Sequence, residues 1–249
     1  MTVIRKGRYV VRFAETDADL QAAQRLRWLA FHGGSRPQQG AGGDADRFDA
    51  LCRHILVEEL AGGRLVCTFR IMFIDRGADL SQSYSAQYYE LAGLKNYDGR
   101  MIEMGRFCLH PSCHDADIVR IAWGAMTRIV EDNRVDMLFG CSSFAGIETV
   151  DYLDVFAVLK AYHLAPQRWL PAVKAPNVFR FAARLRRKPD MRAAMQKMPA
   201  LLKTYLMMGG WVSDHAVVDA ELNTLHVFTG VEIKAIPPAR VRLLRAIAA

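Results

Sequence analysis

Residues 115–133, DADIVRIAWGAMTRIVEDN, constrain the fold more than any other stretch. Ile118, Ile121, Ala122, Ala125, Met126, Ile129 and Val130 recur at the spacing of a helix with one buried face. The run before it, MIEMGRFCLHP (101–111), and the run after it, VDMLFGCSS (135–143), are mostly apolar and read as buried strands. A strand, an amphipathic helix and a second strand form a crossover unit. The two strands are therefore expected to lie parallel in one sheet.

The flanking sequence adds antiparallel elements. YVVRFA (9–14) reads as a first strand, in an N-terminal run, MTVIRKGRYVVRF, that is strand-like throughout. Thr16 or Asp17 can cap a helix over 17–31. GGSRPQQGAGGDADRFD (33–49) is a glycine-rich loop. HILVEE (54–59) and RLVCTFRIMFI (64–74) form two strands joined by a turn at Gly62-Gly63. A helix-like segment covers 147–163, and TLHVFTGVEI (224–233) is a late strand before a Pro-Pro break. The expected class is α/β: a mixed central sheet flanked by helices, in one domain over 1–249.

Several function classes are excluded. No apolar run is long enough to span a bilayer, and the N-terminus lacks the apolar core of a signal peptide, so a cytoplasmic location is expected. Cys52, Cys67, Cys108, Cys113 and Cys141 are odd in number and contain no CxxC, which argues against a disulfide framework and a zinc site. His110 and His114 are four apart, but Pro111 opposes the helix that would align them as ligands. No metal is expected.

The charge is localised. Between Lys174 and Lys203 nine basic residues face Asp190 alone, a net +8, whereas the whole chain carries +7. NVFRFAARLRRK (177–188), read as a helix, separates Val178, Phe181, Ala182 and Leu185 from Arg180, Arg184, Arg187 and Lys188. MPALLKTYLMMGG (198–210) follows with more apolar surface than a solvated helix needs. The segment 174–210 is thus expected to be an amphipathic helical membrane-facing element, with Phe179, Leu202 and Leu206 entering an anionic lipid surface and Arg180, Arg184, Arg187 and Lys188 above them. Docking of an acidic carrier protein, or an ordinary core helix, would produce the same pattern. No nucleic-acid-binding motif occurs, and aromatic residues are sparse on the basic face.

Glu103 and Arg106 interrupt the strand MIEMGRFCLHP. They could form a structural ion pair or belong to an active site. Spaced three apart on a strand they point to opposite faces, unless a bulge near Gly105 turns them into one site.

IEMGRFCLHP before the crossover helix, together with RLRWLAF, ADRFD, VCTFRIM, MLFGCSSF, MPALLKTYLMMGGWV and VVDAELNTLHVF, resembles the ornithine lipid biosynthesis N-acyltransferases. These have a GCN5-related N-acetyltransferase (GNAT) fold and are distantly similar to acyl-homoserine-lactone synthases. The resemblance implies a splayed central sheet whose wedge admits a pantetheine arm. It implies transfer of a 3-hydroxy fatty acyl group to the α-amine of L-ornithine, giving lyso-ornithine lipid. The usual pyrophosphate loop for coenzyme A is missing at the start of the helix: Arg120 and Gly124 do not give its spacing. This fits acyl carrier protein, through its phosphopantetheine thioester, as donor, with no resident cofactor.

On that reading Glu103 is the expected base that deprotonates the ornithine ammonium. Backbone N–H groups freed by the splay would stabilise the oxyanion. Arg27, Arg70 or Arg106 would hold the ornithine carboxylate, and Asp46 and Asp49 its side-chain ammonium, with the individual assignment open. Phe107, Ser142 and Ser143 complete the expected substrate contacts, and Ser142, Ser143 or Tyr152 could supply a proton. Asp46 and Asp49 as loop caps, and Ser142 and Ser143 as helix caps, are the competing structural readings. An acyl-homoserine-lactone synthase, or a non-catalytic module on the same scaffold, is the competing function.

Overall fold

A computed structural model describes residues 2–33 and 43–248; positions 34–42, most of the glycine-rich loop, lie outside the described residues. The elements in chain order are β1 (Thr2–Lys6), β2 (Tyr9–Phe13), α1 (Asp17–His32), β3 (Arg53–Glu59), β4 (Leu65–Ile74), β5 (Tyr89–Glu90), β6 (Arg100–Leu109), α2 (Ala116–Asp132) and β7 (Val135–Ala145). They continue with α3 (Leu153–Tyr162), β8 (Ala172–Val173), β9 (Val178–Phe179), α4 (Phe181–Arg184), α5 (Met191–Lys197), α6 (Ala200–Met207), β10 (Trp211–Val212), β11 (Ala216–Asp219), β12 (Thr224–Glu232) and α7 (Pro238–Ala248). They form two compact units. Unit one is Met1–Phe73, Met104–Val135 and Pro238–Ala249; unit two is Ile74–Glu103 and Asp136–Pro237.

In unit one β1, β2, β3 and β4 make an antiparallel meander, with β6 beyond β4. The N-terminal strand-like run folds into a hairpin about Gly7, whose φ of 58° suits a glycine. Tyr9, Val11 and Phe13 alternate inward along β2. Arg12, on the other face, bonds Asp19 and Glu58 at 2.7–2.9 Å. Thr16 and Asp19 cap α1 reciprocally, so the chain turns into the helix as the sequence predicts. In α2 the apolar stripe is buried. Gly124 lets α7 approach: a Cβ there would sit 2.7 Å from Ile247 Cγ2.

In unit two β12 pairs along its length with β7, antiparallel, from Thr224↔Ala145 to Glu232↔Met137. β11 pairs with β12 on its other side, and β9 with β11. At their starts β6 and β7 lie together, Asp136 Oδ2 accepting the Arg100 N–H at 3.2 Å, so they run the same way there, as the crossover requires. Alternation gives the β7–β12–β11 face two characters. Phe144, Leu225, Val227 and Ala216 point into a core with Val155, Phe156, Leu159, Phe181, Ala194, Met198 and Leu202. Cys141, Ser143, Thr224, His226 and Asp219 share the opposite face.

The helix-like segment over 147–163 is a 3-10 turn, Thr149–Tyr152, followed by α3. One expectation needs correction. The helix over 177–188 does not form. Val178 and Phe179 pair with Val217 and Ala216, and only the single turn of α4 follows. Strand pairing satisfies backbone groups at the edge of β11, and Pro189 removes Lys188 from the helical region.

Leu202 is fully buried, and Phe179 and Leu206 pack on the same core. Burying a side chain as fully as Leu202 contributes about 1.5–3 kcal/mol to folding, so Leu202 is a core residue, and Phe179 and Leu206 turn their buried sides to the same core. Arg180, Arg184 and Lys188 are exposed, as is Arg187, which pairs with Asp154 at 2.7 Å. The outward apolar side chains of this segment are instead Met191 and Met195, one turn apart on α5, and Met207 at the end of α6.

Candidate active site

Unit one gathers a buried network of arginines and aspartates. α1 supplies Arg27, β4 Arg70, β6 Arg106, and the segment before β3 supplies Asp44, Asp46 and Asp49. Arg27 Nη1 and Nη2 donate to the two oxygens of Asp49 at 2.8 and 3.0 Å, and Nε donates to Asp44 at 2.8 Å. A further Nη2 bond goes to the Asp44 carbonyl. Arg70 spans both oxygens of Asp46, at 2.6 and 2.7 Å, and reaches Asp49 at 2.5 Å. Arg106 donates to Asp44 at 2.9 Å and to Asp46 at 3.2 Å. Gln24 and His54 complete the shell of Asp49: Gln24 Nε2 donates to its carboxylate at 2.9 Å, and His54 Nε2 meets its carbonyl at 3.2 Å.

Three cations face three anions, so the network is neutral. Burial raises the Asp49 carboxyl pKa, but Arg27, Gln24 and Arg70 outweigh it and hold the group well below the usual carboxylate range. Asp46 is lowered too, burial being outweighed by Arg70 and then Arg106. Burial lowers the His54 pKa and keeps that ring neutral. The innermost members, Arg27 and Asp49, are sealed from water; Asp46, Asp44 and Arg106 form the accessible edge. The network clamps the segment 44–49 onto α1 and β4.

Arg106 has φ 54°, in the left-handed region, and lies within β6. Such a residue costs about 1–2 kcal/mol. The kink breaks the strict alternation, so Gly105, Arg106 and Phe107 are all half-buried in sequence. Phe107 stacks on Phe69 with centroids 5.5 Å apart.

Unit two holds Glu103. Its carboxylate is buried, and its oxygens accept the Tyr84 and Ser85 N–H groups at 2.8 and 2.7 Å. Ser85 Oγ lies 3.5 Å from Cys141 Sγ. Tyr205 is buried nearby; burial, then Cys141 and Glu103, raise its hydroxyl pKa. Ser142 accepts a 2.9 Å bond from Thr229 on the core face and is closed to substrate, whereas Ser143 is exposed on the opposite face. Neither serine caps a helix, since both lie within β7. Tyr152 donates to the Ala145 carbonyl at 2.8 Å.

The structure therefore brings together Arg27, Asp46, Asp49, Arg70 and Arg106 in one network, with Glu103, Ser142 and Ser143 in unit two. Asp44, Gln24 and His54 were not singled out in the sequence. Asp44 stands two residues before Asp46 in the same acidic run, and Gln24 stands three before Arg27 on one helix face, so both signals were present. Among the described residues no cluster of His, Cys, Asp and Glu could hold a metal, and no helix is long and apolar enough to cross a membrane.

Residues 26–124 match the family described as an acetyltransferase (GNAT) domain. FeeM, an N-acyl amino acid synthase from uncultured soil microbes, superposes with a TM-score of 0.53 over 92% of this chain and 94% of its own, at 10% identity, which establishes the fold alone. The fold and the matched domain are those of the GNAT class. An L-ornithine N(alpha)-acyltransferase of Rhodobacter capsulatus is 31% identical over 91% of this chain and 91% of its own length. A second, from Brucella abortus, is 30% identical over 93% of this chain and 87% of its own length. This chain belongs to the L-ornithine N(alpha)-acyltransferase family.

Proposed function

We propose that the protein transfers a 3-hydroxy fatty acyl group from acyl carrier protein to the α-amine of L-ornithine, giving lyso-ornithine lipid. The observation that carries the reaction is the likeness to the L-ornithine N(alpha)-acyltransferases along nearly the whole of both chains. The thioester supplies the activation, so no resident cofactor is required. Glu103, directly or through one water, takes the proton from the attacking ammonium; its two backbone bonds fix its position.

The choice of a carrier-protein donor is supported at the start of α2. Asp115 caps that helix, accepting the Asp117 N–H at 2.9 Å, and is itself held by Arg8 and Tyr9 at 2.6 and 2.8 Å. A fixed carboxylate occupies the positive helix end and repels the diphosphate of coenzyme A. The protein works at the cytoplasmic face of the membrane, where Met191 and Met195 and the exposed cations around them meet anionic lipid.

The test is thiol release from 3-hydroxyacyl carrier protein with and without L-ornithine, with the product mass recorded. Ornithine-dependent release and an N-acylornithine mass are expected. Release with S-adenosylmethionine and not with ornithine would replace the reading by a lactone synthase.

A further inference from the structure

The polar face of unit two contains groups that the reaction as described does not use. Three buried polar atoms there have no hydrogen-bond partner among the described residues: Asp219 Oδ2, His226 Nε2 and Thr224 Oγ1. The register puts their residues on one face, Asp219 opposite Thr224 and His226 two residues further along β12. Asp219 and His226 are 5% and 1% exposed. Asp219 Oδ1 is committed to the β11–β12 turn, accepting the Glu221 and Leu222 N–H groups at 3.1 and 3.0 Å.

The proton on His226 follows from its neighbours. Tyr89 donates its one hydroxyl proton to the His226 carbonyl at 2.8 Å. The 3.1 Å contact between Tyr89 Oη and His226 Nδ1 is then made by an Nδ1–H. Nε2 is left as a bare lone pair. Burial lowers the ring to a pKa of about 4, so it stays neutral at physiological pH and does not compete as a cation.

The face thus offers a carboxylate oxygen, an imidazole lone pair and a hydroxyl, all without a donor. A buried carboxylate without a counter-charge is costly, and a hydroxyl ligand would leave the charge uncompensated. A primary ammonium has three N–H donors and the missing charge. We infer that Asp219, His226 and Thr224 form the seat for the side-chain ammonium of the acceptor amino acid. This rests on the proposed ornithine reaction. It replaces Asp46 and Asp49 in that role, because those carboxylates are already occupied by Arg70 and Arg27.

The placement suits the chemistry. Ser143 stands opposite His226 and Cys141 opposite Phe228, one two-residue repeat, about 7 Å, along the same face. Cys141 touches Ser85, whose N–H holds Glu103. One face of unit two therefore leads from the ammonium seat towards Cys141 and, through Ser85, towards the base.

Steady-state kinetics of the full chain test the seat with L-ornithine against L-norvaline, which has the same carbon skeleton without the terminal amine. Asp219→Asn should raise KM for ornithine by about tenfold or more and leave kcat within about twofold. Its preference for ornithine over norvaline should collapse towards unity. Thr224→Val, nearly isosteric, should weaken ornithine severalfold with the fold intact. Retention of the wild-type preference in both variants overturns the seat. If the wild-type enzyme acylates neither amino acid, the reaction is wrong and the seat is tested alone by calorimetric titration with n-butylammonium. Saturable binding lost in Asp219→Asn supports it, and no binding to the wild type overturns it.

Discussion

Arg27 presents both terminal nitrogens to the two oxygens of Asp49, at 2.8 and 3.0 Å, where water scarcely reaches either side chain. Breaking a buried pair strands a charge and costs about 3–5 kcal/mol. Arg27→Met should therefore lose that much stability in urea unfolding. Arg27→Lys should recover little of it, because an ammonium cannot span both oxygens and also reach Asp44. A loss below about 1 kcal/mol, the range of an exposed pair, would show that the network does not hold the 44–49 segment.

Acid sensitivity should come in two windows. Burial holds His226, His54 and His163 below their usual pKa, His226 at about 4. The unfolded chain protonates these rings from about pH 6.5 downward while the folded chain does not. Stability therefore falls as pH drops through that range, by at most about 1.4 kcal/mol per pH unit per ring. Asp46 and Asp49 are lowered, so their contribution is present above about pH 4 and is lost as pH falls below it towards their folded values. His226→Gln should flatten the first limb and leave the second; Asp49→Asn should do the reverse. Urea midpoints across the two limbs decide, and an unchanged upper limb in His226→Gln refutes the first assignment.

Gly124 separates two effects of opposite sign. Alanine favours a helix over glycine by about 1 kcal/mol, but its Cβ would meet Ile247 Cγ2 at 2.7 Å, and overpacking costs about 1–3 kcal/mol. Gly124→Ala should be destabilising in the wild type and neutral or stabilising in an Ile247→Ala background. Equal effects in the two backgrounds would remove the α2–α7 contact as the reason for the glycine.

The crossover helix was legible to within a residue at each end because its apolar residues follow one period over about three and a half turns. The arginines and Asp46 and Asp49 were legible through family resemblance, and an irregularity near Gly105 was legible too, although it falls at Arg106. Pairings across strands were not. Asp219, Thr224 and His226 share a face only through the β11–β12 register, which no local pattern specifies. Leu202 and Leu206 were misread because a helical apolar stripe looks the same whether it meets a protein core or a bilayer. Phe179 was misread because an edge strand two residues long leaves no periodic signal.

The corrected surface makes its own prediction. Arg184, Lys188, Arg192 and Lys197 are exposed around Met191 and Met195, and none makes an ion pair among the described residues. Each cation at an anionic bilayer is worth about 1 kcal/mol, so replacing all four with serine should weaken binding to phosphatidylglycerol vesicles by about a hundredfold or more. Binding of the wild type should fall with salt and be weak on uncharged vesicles. Met191→Ser with Met195→Ser should reduce the salt-resistant part. Leu202→Ser should instead lower the unfolding midpoint, because that side chain is in the core. Vesicle binding that survives the loss of all four cations would sink the membrane role of this face. If those variants also lost thiol release from the acyl carrier protein in the absence of lipid, the same cations would be assigned to the donor instead.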